Sequence, residues 1–304
     1  MSTYIVTGGN SGLGFECARS LSQLSDATVI LACRDILKGD EAAEKLRPSV
    51  GDIKVLALDL SSFESIRKFT TDFKEMNLPP LRALICNAGL QEVATPSKTK
   101  EGFESTFAVN HLGHFLLSQL MLPQISQNGR IIFVASDAHD PNEKTGIPAP
   151  RYVNADQVAH DFEPGMKAGQ RRYSTSKLCN IYCTYEFARR LADSKDARLA
   201  SIKVNAFDPG LMPGTGLARQ YPAFIRFMWN YILPLLKFFR KNVHTIKESG
   251  SRLAQLASDP NLQANGKYFS DGREKRSSDL SYNLNNAKEL WDSSLEMVQI
   301  PIEK

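Results

Sequence analysis

Tyr173 and Lys177 stand four residues apart in the run Tyr173-Ser174-Thr175-Ser176-Lys177. On a helix that spacing puts both side chains on one face, one turn apart. A free tyrosine titrates near ~10, too high for efficient proton exchange near neutral pH. An ammonium one turn away favours the phenolate, so the pair could give and take a proton. Taken alone, the spacing is equally that of a helix surface. A second stretch changes its weight. Thr7-Gly8-Gly9-Asn10-Ser11-Gly12-Leu13-Gly14 follows an apolar strand-like run and opens a helix-like one. Such a turn lets a pyrophosphate approach the backbone, and the helix start offers unpaired N–H groups and partial positive charge. Glycines between a strand and a helix are what a dinucleotide cradle requires. Gly8, Asn10, Ser11, Gly12, Leu13 and Gly14 are its candidate residues. At the end of the next strand-like run stands Arg34, a planar cation placed for a 2′-phosphate, where an acid would take the ribose hydroxyl instead. Asp35 follows it and works against this reading. The balance favours NADP(H) over NAD(H).

The elements that must position these residues alternate. Apolar strand-like runs at 3–8, 27–34, 53–60, 81–89, 129–136 and 200–210 are each followed or preceded by amphipathic helical patterns, the longest at 103–125 and 171–194. Near-continuous apolar strands between helices predict a parallel sheet covered on both faces, an α/β doubly wound Rossmann-type domain spanning 1–304. Residues 137–170 break the rhythm with proline, glycine and charge, and read as an insertion within the domain rather than a linker. Residues 211–243 form the second irregular segment. Phe224, Phe227, Met228, Tyr231, Leu235 and Phe238 fall close to one helical face there, and Pro234 should kink or divide it. Arg226 and Pro234 interrupt it too early for a membrane-spanning helix. It reads as a substrate lid, with an oligomer interface and a peripheral membrane contact through 222–241 left open.

Composition bounds the partners. With 42% hydrophobic and 23% charged residues the chain has an ordinary globular composition, and a net charge of +4 is too weak to argue for nucleic acid. A hydrophobic small molecule is the expected partner, with the chain a monomer or a homo-oligomer. Cys17, Cys33, Cys86, Cys179 and Cys183 include no Cys-x-x-Cys pair and read as reduced, buried thiols. The chain runs from Met1 directly into an apolar strand without a secretory signal, so a cytoplasmic location is expected, with membrane association open. His111 and His114 have metal-like spacing but no third ligand, so packing is expected and no metal.

With these residues in view, the chain resembles the short-chain dehydrogenase/reductase family over about residues 3–300. The landmarks occur in order: the cradle, Asp59-Leu60, Asn87-Ala88-Gly89, Asn110, Ser136, Tyr173 with Lys177, and Pro209-Gly210. The resemblance implies that Tyr173 is the general acid/base, that Lys177 lowers its pKa and holds the nicotinamide ribose, and that Ser136 donates to the substrate oxygen. It implies that Asn110 holds a water on the proton path. Asp59 and its neighbour Leu60 would contact the adenine, and Asn87, Ala88 and Gly89 would line the adenosine side, with Pro209-Gly210 closing the cofactor cleft. Two branches look similar: the retinol dehydrogenase-like group and light-dependent protochlorophyllide oxidoreductase. The second carries a cysteine after the Pro-Gly turn, where this chain has Leu211, and an alanine pair where it has Ala88-Gly89. Interconversion of a carbonyl and an alcohol on a bulky hydrophobic substrate (retinal-like, steroid-like or aromatic) is therefore expected. Reduction of a tetrapyrrole, or dinucleotide binding without catalysis, are the alternatives.

Overall fold

The computed structural model describes residues 1–47, 49–212, 221 and 244–300. The lid segment predicted at 211–243, with its apolar face and membrane-contact reading, lies almost wholly outside the described residues. Those described form one eight-stranded sheet flanked by helices. The strands are β1 (Ser2–Thr7), β2 (Ala27–Cys33), β3 (Asp52–Ala57), β4 (Leu81–Cys86), β5 (Ile125–Val134), β6 (Lys203–Asp208), β7 (Lys267–Ser270) and β8 (Arg273–Lys275). Their order is β3-β2-β1-β4-β5-β6-β7-β8, all parallel except the β7–β8 pair. Every residue of β2 is buried, as expected of a strand covered on both faces. The order reverses between β1 and β4, and a crevice opens there at the carboxyl ends of the strands, where ligands bind in such sheets.

The α-helices among the described residues are α1 (Gly12–Leu21), α2 (Ile36–Leu46), α3 (Phe63–Glu75), α4 (Ser105–Phe107), α5 (Gly113–Met121), α6 (Ala155–Ala159), α7 (Met166–Ala192), α8 (Ala197–Ser201), α9 (Ile246–Ser258) and α10 (Leu284–Met297), of which α1, α2 and α7 line the crevice. Three features differ from the sequence expectation. The sheet has two further strands, β7 and β8, joined through Asp271-Gly272, both with positive φ. The helix predicted at 103–125 is interrupted by a wider, π-helical turn at Ala108–Leu112. Asn110 sits in that turn, where its side chain leaves the helix to pair with the backbone of Leu90. Such turns put a side chain where a regular helix would not. Finally, α7 starts at Met166, inside the predicted insertion, and α6 adds a further helical turn there.

The insertion is anchored to the C-terminal helix. Tyr152 O–H and the Ala155 N–H both donate to the Glu289 carboxylate on α10. That helix is in turn packed through Trp291, whose ring meets Phe115 and Phe187 edge-on at 5.0 and 4.9 Å. Burying such a side chain contributes several kcal/mol, so the insertion is tied into the main core.

Candidate active site

The crevice is a cleft of about 980 Å³ running from the β2–α2 corner past β1 to α7. At its first end, α1 begins behind Ser11, whose side chain makes no capping bond. Gly12 has φ +56°, and nothing lies within 4 Å of where a Cβ would stand. The start of α1 therefore faces open space with backbone N–H groups, which suits a phosphate. Gly14 does the opposite task. A Cβ there would fall 2.4 Å from the Gly8 carbonyl oxygen and 2.5 Å from Asn87 Nδ2. The helix can approach the strand end only because that atom is missing. Asn87 locks the approach, its side chain donating to the Thr7 carbonyl at 2.7 Å.

Gly8, Asn10, Ser11, Leu13, Arg34, Asp59, Leu60, Asn87, Ala88, Gly89, Ser136, Tyr173, Lys177, Pro209 and Gly210 line the cleft; Gly12, Gly14 and Asn110 do not. Arg34 is exposed at its mouth, with Lys38 and Lys45 on the same wall. Asp35, which the sequence set against a phosphate, caps α2 instead: it accepts from the Lys38 N–H at 3.2 Å and pairs with Lys38 Nζ at 2.7 Å. Those bonds hold its carboxyl below the usual carboxylate range.

At the other end Tyr173, Lys177 and Ser136 meet. Lys177 Nζ lies 5.5 Å from the centre of the Tyr173 ring and donates to the Val134 carbonyl at 2.9 Å. Burial pushes its ammonium down to about 8, opposed by Asp208, so it stays charged at neutral pH. The Tyr173 phenol goes the other way from the expectation that Lys177 lowers it. Burial, then Asp137 and Asp208, push it well up, and a hydrogen bond with Ser136 only partly offsets them. In the protein alone Tyr173 is a protonated acid. The sequence reading missed both carboxylates, although Asp137 directly follows Ser136 and Asp208 directly precedes Pro209.

Asn110 is buried behind this group. Its amide donates to the Leu90 carbonyl and to Ser176 Oγ, both at 3.0 Å, and its side-chain oxygen accepts from the Leu90 N–H at 2.8 Å. Its backbone carbonyl is met by His114 Nδ1 at 3.2 Å. His114 Nε2 in turn lies 2.9 Å from Thr7 Oγ1, the atom that accepts the N–H groups of Asn87 and Ala88. With both lone pairs of Thr7 occupied, its proton points to His114, closer than the Ile85 carbonyl at 3.3 Å. His114 is therefore neutral with its proton on Nδ1, and burial holds its pKa down to about 4. His111, expected to pack rather than bind metal, bonds Ser294 on α10 at 2.9 Å. All five cysteines are free and buried. Among the described residues no helix is long and apolar enough to cross a membrane.

The same cleft is also lined by Leu90, Gln91, Thr145, Ile147, Gln170, Leu211, Met212 and Tyr221. Gln170 Nε2 donates to the Tyr221 hydroxyl at 3.1 Å across it.

Comparison with known proteins places this geometry. Residues 2–147 match the family model described as short chain dehydrogenase. Protochlorophyllide reductase A of Oryza sativa subsp. japonica, a chloroplastic protein, is 32% identical over 317 residues, covering 97% of this chain and 80% of that one. The chain belongs to the short-chain dehydrogenase/reductase family. Protochlorophyllide reductase A of Arabidopsis thaliana is 31% identical, covering 97% of this chain and 76% of its own length. A crystal structure of an uncharacterized protein from Mycobacterium Paratuberculosis superposes with TM-score 0.70 at 28% identity, covering all of this chain and 95% of that one. As a family member the chain is an oxidoreductase with a Rossmann-type sheet, and its family binds NAD(P)H.

Proposed function

We propose that the protein is an NADPH-dependent reductase that converts a carbonyl on a bulky, largely apolar substrate to an alcohol. The observation that carries this reading is the convergence of Tyr173, Ser136 and Lys177 on one end of a cleft whose other end is a phosphate-ready helix start beside Arg34, Lys38 and Lys45. Bound along that cleft, NADPH would supply hydride to the substrate carbon.

The residues divide the remaining work. Arg34 offers charge to a 2′-phosphate, while Asp35 is already paired with Lys38 and does not oppose it. Asp59 and Leu60, with Asn87, Ala88 and Gly89, form the adenosine wall. Pro209 and Gly210 close the nicotinamide side. Ser136 and Tyr173 present O–H donors to the substrate oxygen, and Tyr173 gives up its proton as charge develops there. Lys177 stabilises the phenolate left behind, and its position allows contact with the nicotinamide ribose. Asn110 shapes the far side of this group through Leu90 and Ser176 rather than by touching the cleft. Leu211 and Met212 present apolar surface where the substrate would lie, and the Gln91, Gln170 and Tyr221 group supplies its few polar contacts.

The similarity to protochlorophyllide reductases over nearly the whole chain supports a second reading, reduction of a carbon–carbon double bond in a tetrapyrrole. Leu211 weighs against it, since it stands where that branch carries a cysteine, and any proton to carbon would have to come from Tyr173. The test is NADPH oxidation against retinal-like, steroid-like and aromatic carbonyls, with Tyr173→Phe as control. The variant should lose about 10²–10⁴-fold. Wild type and variant equally inert on every carbonyl would sink the first reading, and a light-driven absorbance change with pigment and NADPH would establish the second.

A further inference from the structure

We propose that Asp137 decides what the Ser136 hydroxyl offers the substrate. Ionised, its carboxylate takes the one hydrogen bond the serine can donate; protonated, it leaves that hydrogen for the substrate oxygen. Asp137 is thus a positioning residue acting through Ser136, and the proposal rests on the carbonyl-reduction reading.

The geometry sets up a competition. Ser136 Oγ donates to Asp137 Oδ1 at 3.1 Å and accepts from the Ala138 N–H at 3.2 Å. A serine hydroxyl carries a single proton. Tyr173 forms a hydrogen bond with the same Ser136. With the proton turned to Asp137, the serine shows the cleft a lone pair, which repels a carbonyl oxygen on which negative charge is developing. With a proton on Asp137, the carboxyl O–H can donate to Ser136 Oγ, and the serine proton is released towards Tyr173 and the substrate. Asp137 itself lines the cleft. It gives no proton to the product in this scheme: the hydride comes from NADPH, the proton from Tyr173, and the Asp137 proton exchanges with solvent.

The surroundings put both forms within reach at working pH. From the end of β6, Asp208 faces Asp137 with both its oxygens engaged, one by the Gly210 N–H and one by Ser270 O–H, each at 2.9 Å. Glu143 faces it from the insertion, Tyr173 from α7 and Tyr268 from β7. Lys177 on α7 interacts with Asp208, and His139, two residues on, is held neutral by burial with Nδ1 on the Ser136 carbonyl. Burial first, then the charge of Asp208, push the Asp137 carboxyl up to about 7. Asp208 keeps both its oxygens hydrogen-bonded, while Asp137 is the carboxylate that reaches the Ser136 hydroxyl.

The experiment compares pH profiles of kcat/KM for carbonyl reduction in wild type, Asp137→Asn and Asp137→Ala. Wild type should fall by at least about tenfold as pH rises through neutrality, the expected scale for losing one donor to the developing oxyanion. Both variants should be flat across that window, because neither carries a carboxyl that ionises as pH rises and draws the serine proton to itself. Superimposable profiles overturn the proposal. A second measurement needs no turnover: the infrared difference between wild type and Asp137→Asn, with NADPH bound, should show a protonated-carboxyl stretch that fades with rising pH. Absence of that band throughout about pH 5 to 9 also overturns it. If wild type and Tyr173→Phe are equally inert on every carbonyl, the functional reading fails, and the infrared titration still decides the state of Asp137.

Discussion

His114 links the phosphate cradle to the π-helical turn that holds Asn110, and its replacement tests that link directly. In His114→Leu the Thr7 hydroxyl can turn to the Ile85 carbonyl, 3.3 Å away. The buried Asn110 carbonyl loses its side-chain donor, and removing one partner of a buried hydrogen bond costs about 1–3 kcal/mol. That is the expected loss at pH 7. The pH dependence separates this role from plain packing. His114 has a folded pKa near 4, below its unfolded value of 6.5. Its contribution is therefore present above pH 6.5 and is lost as pH falls towards 4, because the unfolded chain takes up the proton first. Between pH 7 and pH 5 wild type should lose about 2 kcal/mol through this residue, from 1.36 kcal/mol per unit over about 1.5 units. The variant has no such group. His111, depressed to about 3 by burial first and by His114 second, stays below this window in both proteins and so contributes little to the difference. Urea unfolding at the two pH values measures this. The deficit of His114→Leu should shrink to near zero at pH 5, and an equal deficit at both would refute a neutral, Nδ1-protonated His114.

Three further outcomes follow from the geometry. Gly14→Ala should abolish NADPH binding and cost about 1–3 kcal/mol, since its Cβ meets backbone and the locking amide of Asn87 rather than a flexible side chain; fluorescence titration and Tm read both. Arg34→Asp should raise the NADPH Kd about 10–100-fold, the scale of a charged hydrogen bond, and leave NADH binding intact or improved; similar loss for both dinucleotides would remove Arg34 from the 2′-phosphate site. Trp291→Ala should lower stability by about 3–5 kcal/mol, because it empties the contact of α10 with Phe115 and Phe187, and a Tm near wild type would show that α10 is not part of the main core.

The alternation of strand and helix was plain in the sequence because each strand of a parallel sheet is apolar along its whole length. The cradle was equally plain, since its glycines have to fall between β1 and α1. The last two strands were less so. β7 has only four residues and β8 three, too short for periodicity to mark them, although Asp271-Gly272 is a hairpin signal in its own right. The π-helical turn left no trace, because Ala108 to Leu112 is an ordinary helical run. What bends it is a tertiary bond between Asn110 and Leu90, which are twenty residues apart. The two carboxylates were missed for a related reason. Asp137 and Asp208 are neighbours only because β5 and β6 are, and each looks like a strand-end acid until that pairing is known.

That pairing also bears on which way the site is set. Lys177 alone would make Tyr173 a ready base, and a site built only from those two would serve oxidation and reduction alike. Asp208, and Asp137 when it is ionised, tip it, since their charges raise the phenol and Asp208 also holds the Lys177 ammonium. A reduced nicotinamide ring is uncharged and leaves this balance as it stands, with the proton on Tyr173, where carbonyl reduction needs it. An oxidised ring would bring a positive charge that offsets the two carboxylates and frees the phenolate for the reverse reaction. On the carbonyl-reduction reading proposed above, the protein alone thus supplies the acid form of Tyr173 that the reducing direction uses.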